Sequence, residues 1–432
     1  MIRARNRRFL APAALVAVAA LASAVPLTGQ ASAQIALAKV VSEDPANFTP
    51  NVVDDAAVSD AAVYAFGQIG GTMYAGGTFH TVSNSTRTVT TSRSNLMSFS
   101  ATTGALTSFA PAVNGPVWAI VPAGSSIYVG GEFTTVNGVT RRALAKLDAT
   151  TGALDPQFNP VLFGKVTEAR IVNGRLLIGG TFKGKLLALD PATGKDTGYI
   201  NLGIAGSVAS NAGPERVYKF AVNPAGTRLV AIGNFTTVSG QSRPRIFMAT
   251  LGATSTTLNA WNYGPAALRC AASSIPEQLR DVDFSPDGAY FVVVDTGFVP
   301  ASTSQIGTAL CDSAARFETE TASPSRPTWI NYTGGDTLHS VAITGSAVYV
   351  QGHQRWLDNA GGRDFAGPGA VARQGIGAID PTSGKALSWN PGKSRDVGGK
   401  ELFVTPAGLW VGSDGKLFRG EIRSGIAFCP LV

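Results

Sequence analysis

IYVGGEFTTVNGVTRRALAKLDATTGALDPQFNP, residues 127–160, sets the pattern of this chain, because degraded copies of it recur along almost the whole length. An apolar run of Ile127, Tyr128 and Val129 enters the doublet Gly130 and Gly131, and Phe133 follows. After a polar loop comes a second apolar run from Ala143 to Leu147 and then a tight turn from Asp148 to Gly152. Asp at the start of such a turn accepts backbone amides, and Gly at its end takes the positive φ that a side chain would resist. The unit reads as strand, glycine pair, loop, strand, turn, strand.

Aligned on the second glycine, the copies fall at Gly77, Gly131, Gly180 and Gly233, with weaker ones at Asp295, Gly352 and Ser413. These seven anchors stand 49 to 62 residues apart. A repeat of that length with three or four short strands predicts an all-β, seven-bladed β-propeller, in which neighbouring sheets bury each other's faces. The glycine pair fits this, since two residues without side chains at a strand end allow close backbone approach and a bulge. The turns at Ser100, Asp148, Asp190 and Asp380 each end in Gly four residues on, so these three aspartates read as structural. Aromatics close the copies at Phe109, Phe158, Tyr199, Trp261, Trp329 and Trp389, and their regular recurrence marks packing between blades rather than a sugar-stacking row.

The two ends of the chain explain each other. The last copy stops after 425–431, which aligns with strand three, while 44–51 resembles a strand-four segment such as 155–160. The N-terminal strand is therefore expected to complete the last blade and close the ring, removing open sheet edges. The expected organisation is a leader over 1–33, then one propeller domain over 34–432. Within it 34–60 forms the closing strand and lead-in, and the blades span about 61–111, 112–160, 161–206, 207–265, 266–334, 335–392 and 393–432.

Arg3, Arg5, Arg7 and Arg8 precede an apolar run from Leu10 to Leu27, and Ala31, Ser32 and Ala33 supply a small-residue cleavage site. A signal peptide cleaved after Ala33, followed by secretion, is the expectation; the twin-arginine spacing is imperfect, which favours the general route. Loss of 1–33 removes four Arg and no acid, leaving 31 basic against 28 acidic residues and a formal charge of +3. So small a charge, without basic clusters interleaved with aromatics, gives no reason to expect nucleic acid. No later run is long enough to span a bilayer, and a monomer is expected.

Length variation concentrates in loops that a four-stranded blade sends to one face: 80–94, 236–244, 298–312 and 354–374. That looped face is the expected interaction surface. Cys270, in the connection into the fifth blade, and Cys311, in its strand-two-to-three loop, both belong there, and an exported chain permits their disulfide. Cys429 reads as a buried free thiol. The sixth copy carries the richest chemistry, with His353, Arg355, Trp356, Asp358, Arg363 and Asp364 in a glycine-rich loop. Arg355 and Asp358 suit a polar ligand and Trp356 suits stacking, although packing between blades explains the same residues. Of the three histidines, His339 opens an innermost-strand pattern and is placed toward the central channel near His353. No metal-ligand spacing, Ser-His-Asp arrangement, or flavin or quinone motif is present, so no cofactor, metal or catalytic residue is assigned.

In the pieces 128–138, 280–288, 352–356, 375–384 and 408–414 the chain resembles the secreted delta-60 repeat β-propellers of actinobacteria, which are kelch-like in their apolar-run-plus-glycine-pair signature. The resemblance covers nearly all of the expected mature chain and implies an exported seven-bladed propeller of unestablished activity. It departs at Cys429, where the pattern is aromatic. Two functions follow as expectations. The first is a binding or scaffold module that recognises a cell-envelope glycan or an extracellular protein through its looped face. The alternative is a polysaccharide hydrolase or lyase with its site at the central channel.

Overall fold

The computed structural model describes Met1 and residues 34–208, 213–272 and 274–432, so the expected leader and its cleavage site lie outside the described residues. The described chain is all-β apart from two short 3-10 turns, at Gly264–Ala267 and Thr303–Gln305. Seven antiparallel sheets of three or four strands follow one another, each with its strands in chain order. Their first strands are Ala62–Ile69, Val117–Ala123, Val166–Val172, Arg216–Val222, Gln278–Phe284, Leu338–Ile343 and Gly399–Thr405. Small two-stranded ribbons sit in the loops between second and third strands, two of them extended by Asn51–Val53 or Ile204–Ala205 from ahead of the same sheet. One is Thr135–Val136 with Val139–Thr140, turning at Asn137 and Gly138, whose φ values of 49° and 75° suit the twist of a two-residue hairpin.

Apart from a small one around Cys270 and Cys311, the hydrophobic clusters among the described residues lie between consecutive sheets. Tyr74, Phe109, Ile120, Val129 and Leu147 join the first sheet to the second, and Leu177, Tyr199, Phe220 and Phe247 join the third to the fourth. Another cluster joins the seventh sheet to the first: Trp410 lies 5.6 Å from Phe99 and 6.1 Å from Phe66. The repeat-closing aromatics are buried, with Trp261 packed edge-on at 5.4 Å from Phe291 and Trp389 at 5.2 Å from Tyr349. They are core residues, as their periodicity indicates.

The anchor position has one geometric meaning. Gly77, Gly131, Gly180, Gly233, Asp295, Gly352 and Ser413 pair with Val63, Val117, Val166, Val217, Leu279, Leu338 and Gly399, and in every case the register slips at the next residue. A side chain on Gly77, Gly131, Gly180 or Gly233 would collide with the carbonyl oxygen just before that paired residue. On Gly76 or Gly130 it would collide with Val117 or Val166 of the next sheet. The doublet thus serves a bulge on one side and sheet packing on the other.

The Asp turns are structural as well. Asp148 Oδ1 accepts hydrogen bonds from the amides of Thr150 and Thr151 and from the Thr151 hydroxyl, at 2.7–3.0 Å, and these bonds hold its carboxyl below the ordinary range. The glycine ending each turn abuts the preceding sheet: Gly152 faces Pro111, Gly194 faces Pro160 and Gly384 faces Trp329. Gly104 of the first sheet meets Phe48 and Pro50 in the same manner. The seventh sheet has no fourth strand of its own among the described residues. Against its third strand, Ile426–Pro430, the amides of Ser42 and Ala46 donate to the carbonyls of Pro430 and Phe428, each at 2.8 Å.

Cys270 and Cys311 are joined by a disulfide, and Cys429 is free and buried. No described helix is long and apolar enough to cross a membrane.

Candidate functional site

The first strands surround a common cavity. Its lower part, about 280 Å³, is lined from all of them, by residues including Gln68, Pro122, Arg170, Lys219, Asp281, Val341 and Glu401. Strands of neighbouring sheets are not laddered to one another here, so their edge amides and carbonyls need other partners. Asp281 and Asp283 supply them: their carboxylates accept the amides of Val341 and Ile343 on the next sheet at 3.0 and 2.9 Å. Arg170 Nε donates to the carbonyl of Phe220 at 3.2 Å. Lys219 Nζ lies 3.0 Å from Glu168 and 3.4 Å from Glu401.

Burial pushes Asp281 up to about 6 and Asp283 and Glu401 up to about 7. Burial works against the Lys219 ammonium too, but the Glu168 and Glu401 carboxylates outweigh it and hold its pKa above the usual value. At the floor, Gln34 Nε2 donates to Asp283 at 2.6 Å, bringing the start of the described chain into the cavity.

The mouth is built by the bulges. The residue that each slip leaves unpaired is Tyr64, Trp118, Thr167, Tyr218, Arg280, His339 or Lys400, in sheet order. Except for Thr167, these side chains are partly exposed and share one recess of about 30 Å³. The fifth and seventh sheets contribute cations, the sixth an imidazole, and the first, second and fourth aromatics. Tyr64 and Trp118 stack with ring centres 4.5 Å apart, and the Arg216 guanidinium lies 4.9 Å from the Tyr218 ring. Burial, and then the cations Arg280, Lys400 and Lys393, push His339 well below the ordinary imidazole range, so it is neutral at pH 7. Lys393, fully buried nearby, is pushed down to about 8. Because the bulges lie where second strands end, the mouth opens on the side that carries the long loops.

The sixth-sheet loop borders this mouth. Asp336, buried and unsingled by sequence, is its organiser: Oδ2 accepts from the Arg355 amide and Nε at 3.0 and 2.9 Å, and Oδ1 accepts from Arg355 Nη2 and Arg395 Nη2, both at 3.0 Å. Arg355 also reaches Asp364 at 2.8 Å and lies over the Trp356 ring at 4.4 Å. The Asp336 hydrogen bonds raise the Arg355 pKa. His353 Nδ1 sits 2.7 Å from the Asp396 carbonyl, and Arg395 Nε donates to the His353 carbonyl at 2.7 Å. The Arg363 guanidinium lies 5.5 Å from the Phe298 ring.

Of the residues that sequence singled out, Arg355, Trp356 and Asp364 form one group, His339 lines the mouth, and His353 bonds to the Asp396 carbonyl. Asp358 belongs elsewhere: it accepts from Asn331 at 2.7 Å and from the Ala386 amide at 3.1 Å, tying the fifth sheet to the sixth. Sequence reasoning reached His339 but missed its six counterparts. The available signal was the alignment itself, which fixes the residue after each anchor's partner.

The architecture is that of an array of small antiparallel sheets around a cavity whose mouth is aromatic and basic. Residues 126–158 match the model of a domain of unknown function described as a beta-propeller (DUF5122). No curated protein matches the chain. Among solved structures it is similar to the crystal structure of the computationally designed Ika8 protein, at 10% identity and a TM-score of 0.46, over 88% of this chain and 98% of that one.

Proposed function

We propose that the chain is a secreted binding or scaffold module, a seven-bladed β-propeller that recognises a glycan or protein partner through its looped face. The observation that carries this reading is the Asp336 cluster, which holds Arg355, with Trp356 and Asp364, together with Arg395, three residues before Gly398, which abuts the mouth residue His339. Aromatic planes beside fixed guanidinium groups suit recognition by stacking and charge-assisted hydrogen bonds. In this reading the segment 42–50 closes the ring as the outer strand of the last blade. Two facts support that: its amide bonds to 426–430, and Phe48 and Pro50 meeting Gly104 as Pro111 meets Gly152.

A glycan array and a pull-down from cell envelope, both with residues 34–432, test the reading. Retention of a glycan or a single envelope protein is expected, with Trp356→Ala abolishing it at unchanged melting temperature. Absence of any retained ligand would overturn it.

The alternative, a hydrolase or lyase at the cavity, draws on the raised pKa values of Asp281, Asp283 and Glu401. Against it, Asp281 and Asp283 are committed to amides of two strands each, including Val282 at 2.9 Å and Phe284 at 3.0 Å. Turnover of an envelope polysaccharide lost on Glu401→Gln would favour this second reading.

A further inference from the structure

We propose that the cavity mouth is a subsite for an acidic sugar, whose carboxylate or sulfate enters the arc of Arg280, His339 and Lys400 while its ring lies on the aromatic side formed by Trp118 and Tyr218. The inference rests on the binding-module reading and names its ligand class.

The first observation is charge. Among the described residues Arg280 has no carboxylate within ion-pair distance, and its Nε has no hydrogen-bond partner. Lys400 has one acid, Asp414, at 3.6 Å. Arg280 and Lys400 thus face the recess with that one carboxylate between them, and beside them His339, held down first by burial and then by these two cations, is neutral. A guanidinium without a carboxylate partner, beside an ammonium that has one, favours an anion in place of water in a partly shielded recess. A neutral His339 adds a donor to the arc without adding charge.

Size is the second. The recess is about 30 Å³. A cavity needs roughly 10–15 Å³ to admit a water, so this one admits an anionic head group and leaves a ring outside. The third observation is what the ring would meet. Tyr64 braces one face of Trp118, and Arg216 covers the Tyr218 ring on one side, leaving rigid, part-exposed aromatic surfaces beside the cations. The apolar C–H face of a pyranose packs on such surfaces, while a free inorganic anion gains nothing from them.

Tryptophan fluorescence and calorimetry on residues 34–432 would be run with glucuronate, glucose 6-sulfate, glucose and acetate. Glucuronate or the sulfate should bind at least tenfold more tightly than glucose and acetate, the tighter of the two identifying the anionic group. Arg280→Gln should weaken that binding about tenfold, with the melting temperature unchanged because Arg280 leaves no partner unpaired, and Lys400→Gln should weaken it less. Trp118→Phe should remove the fluorescence change and keep the calorimetric signal. Equal binding of glucose and glucuronate, acetate matching glucuronate, or indifference to both charge variants would overturn the proposal. Array binding that needs Trp356 but not Arg280 would leave the binding-module reading standing and remove this one.

Discussion

Tyr64 and Trp118 stand on adjacent sheets with their rings 4.5 Å apart and 9° from parallel, each being the residue its strand's bulge leaves unpaired. The stack therefore couples two sheets through their irregularities. A double-mutant cycle with Tyr64→Ala and Trp118→Ala, read by urea denaturation, should show a coupling of about 1 kcal/mol. A coupling indistinguishable from zero would mean that the rings are neighbours without mutual stabilisation.

The glycine pair gives a contrast between two chemically identical substitutions. Gly131→Ala drives a methyl group into the Pro116 carbonyl, a backbone atom that cannot rotate away, and should destabilise by about 2–4 kcal/mol. Gly71→Ala, at a turn with nothing within 4 Å of the new Cβ and no positive φ, should be neutral or stabilise by up to about 1 kcal/mol. Equal effects would refute the close-approach account.

Asp295 occupies the anchor position that glycine holds in the stronger copies, and burial pushes its carboxyl up to about 7. Its Oδ2 accepts the Ser313 hydroxyl at 2.7 Å and its Oδ1 the Ser313 amide at 3.1 Å. A carboxyl raised in the folded state contributes stability that is complete below the unfolded pKa near 4 and is lost as pH rises through about 7. Denaturation midpoints should therefore fall between pH 4 and 7. Asp295→Asn, which keeps the size and one acceptor and turns an amide donor to the Ser313 hydroxyl, should flatten that fall by up to about 4 kcal/mol at one pKa unit per 1.4 kcal/mol. An unchanged slope would show that Asp295 is ionised throughout.

The Cys270 and Cys311 bridge closes a sequence separation of 41 residues. Its removal by Cys270→Ser with Cys311→Ser should cost about 3–4 kcal/mol in the chain-entropy account. Thiol titration should find one free cysteine after denaturation and three after reduction, with Cys429 silent in the native protein because it is buried.

Deletion of residues 34–50 should lower the melting temperature steeply, because it strips Phe48 from Trp410 and Phe428, at 6.2 and 5.9 Å, and frees the edge of 426–430. An unchanged melting temperature would sink the ring-closing role of that segment.

The repeat in 127–160 and its copies determined the sheets, their order, the Asp turns and the buried aromatics, because each depends on local hydrophobic period and on turn chemistry that a few adjacent residues carry. The same holds for the glycine pair, whose bulge was legible as a strand end without side chains. The sequence also pointed to the sixth-copy loop, since insertions stand out against a periodic scaffold. Only the tertiary structure decided which side chains meet across sheets. Asp336 gathers Arg355 and Arg395 from 19 and 59 residues away, and Asp358, their neighbour in sequence, turns instead to Asn331. Likewise Tyr64, Trp118, Tyr218, Arg280, His339 and Lys400 are scattered over more than three hundred residues, with no shared residue type to betray them. They come together because seven first strands slip at the same point and face one cavity, a property of how the sheets are arranged and not of any one repeat.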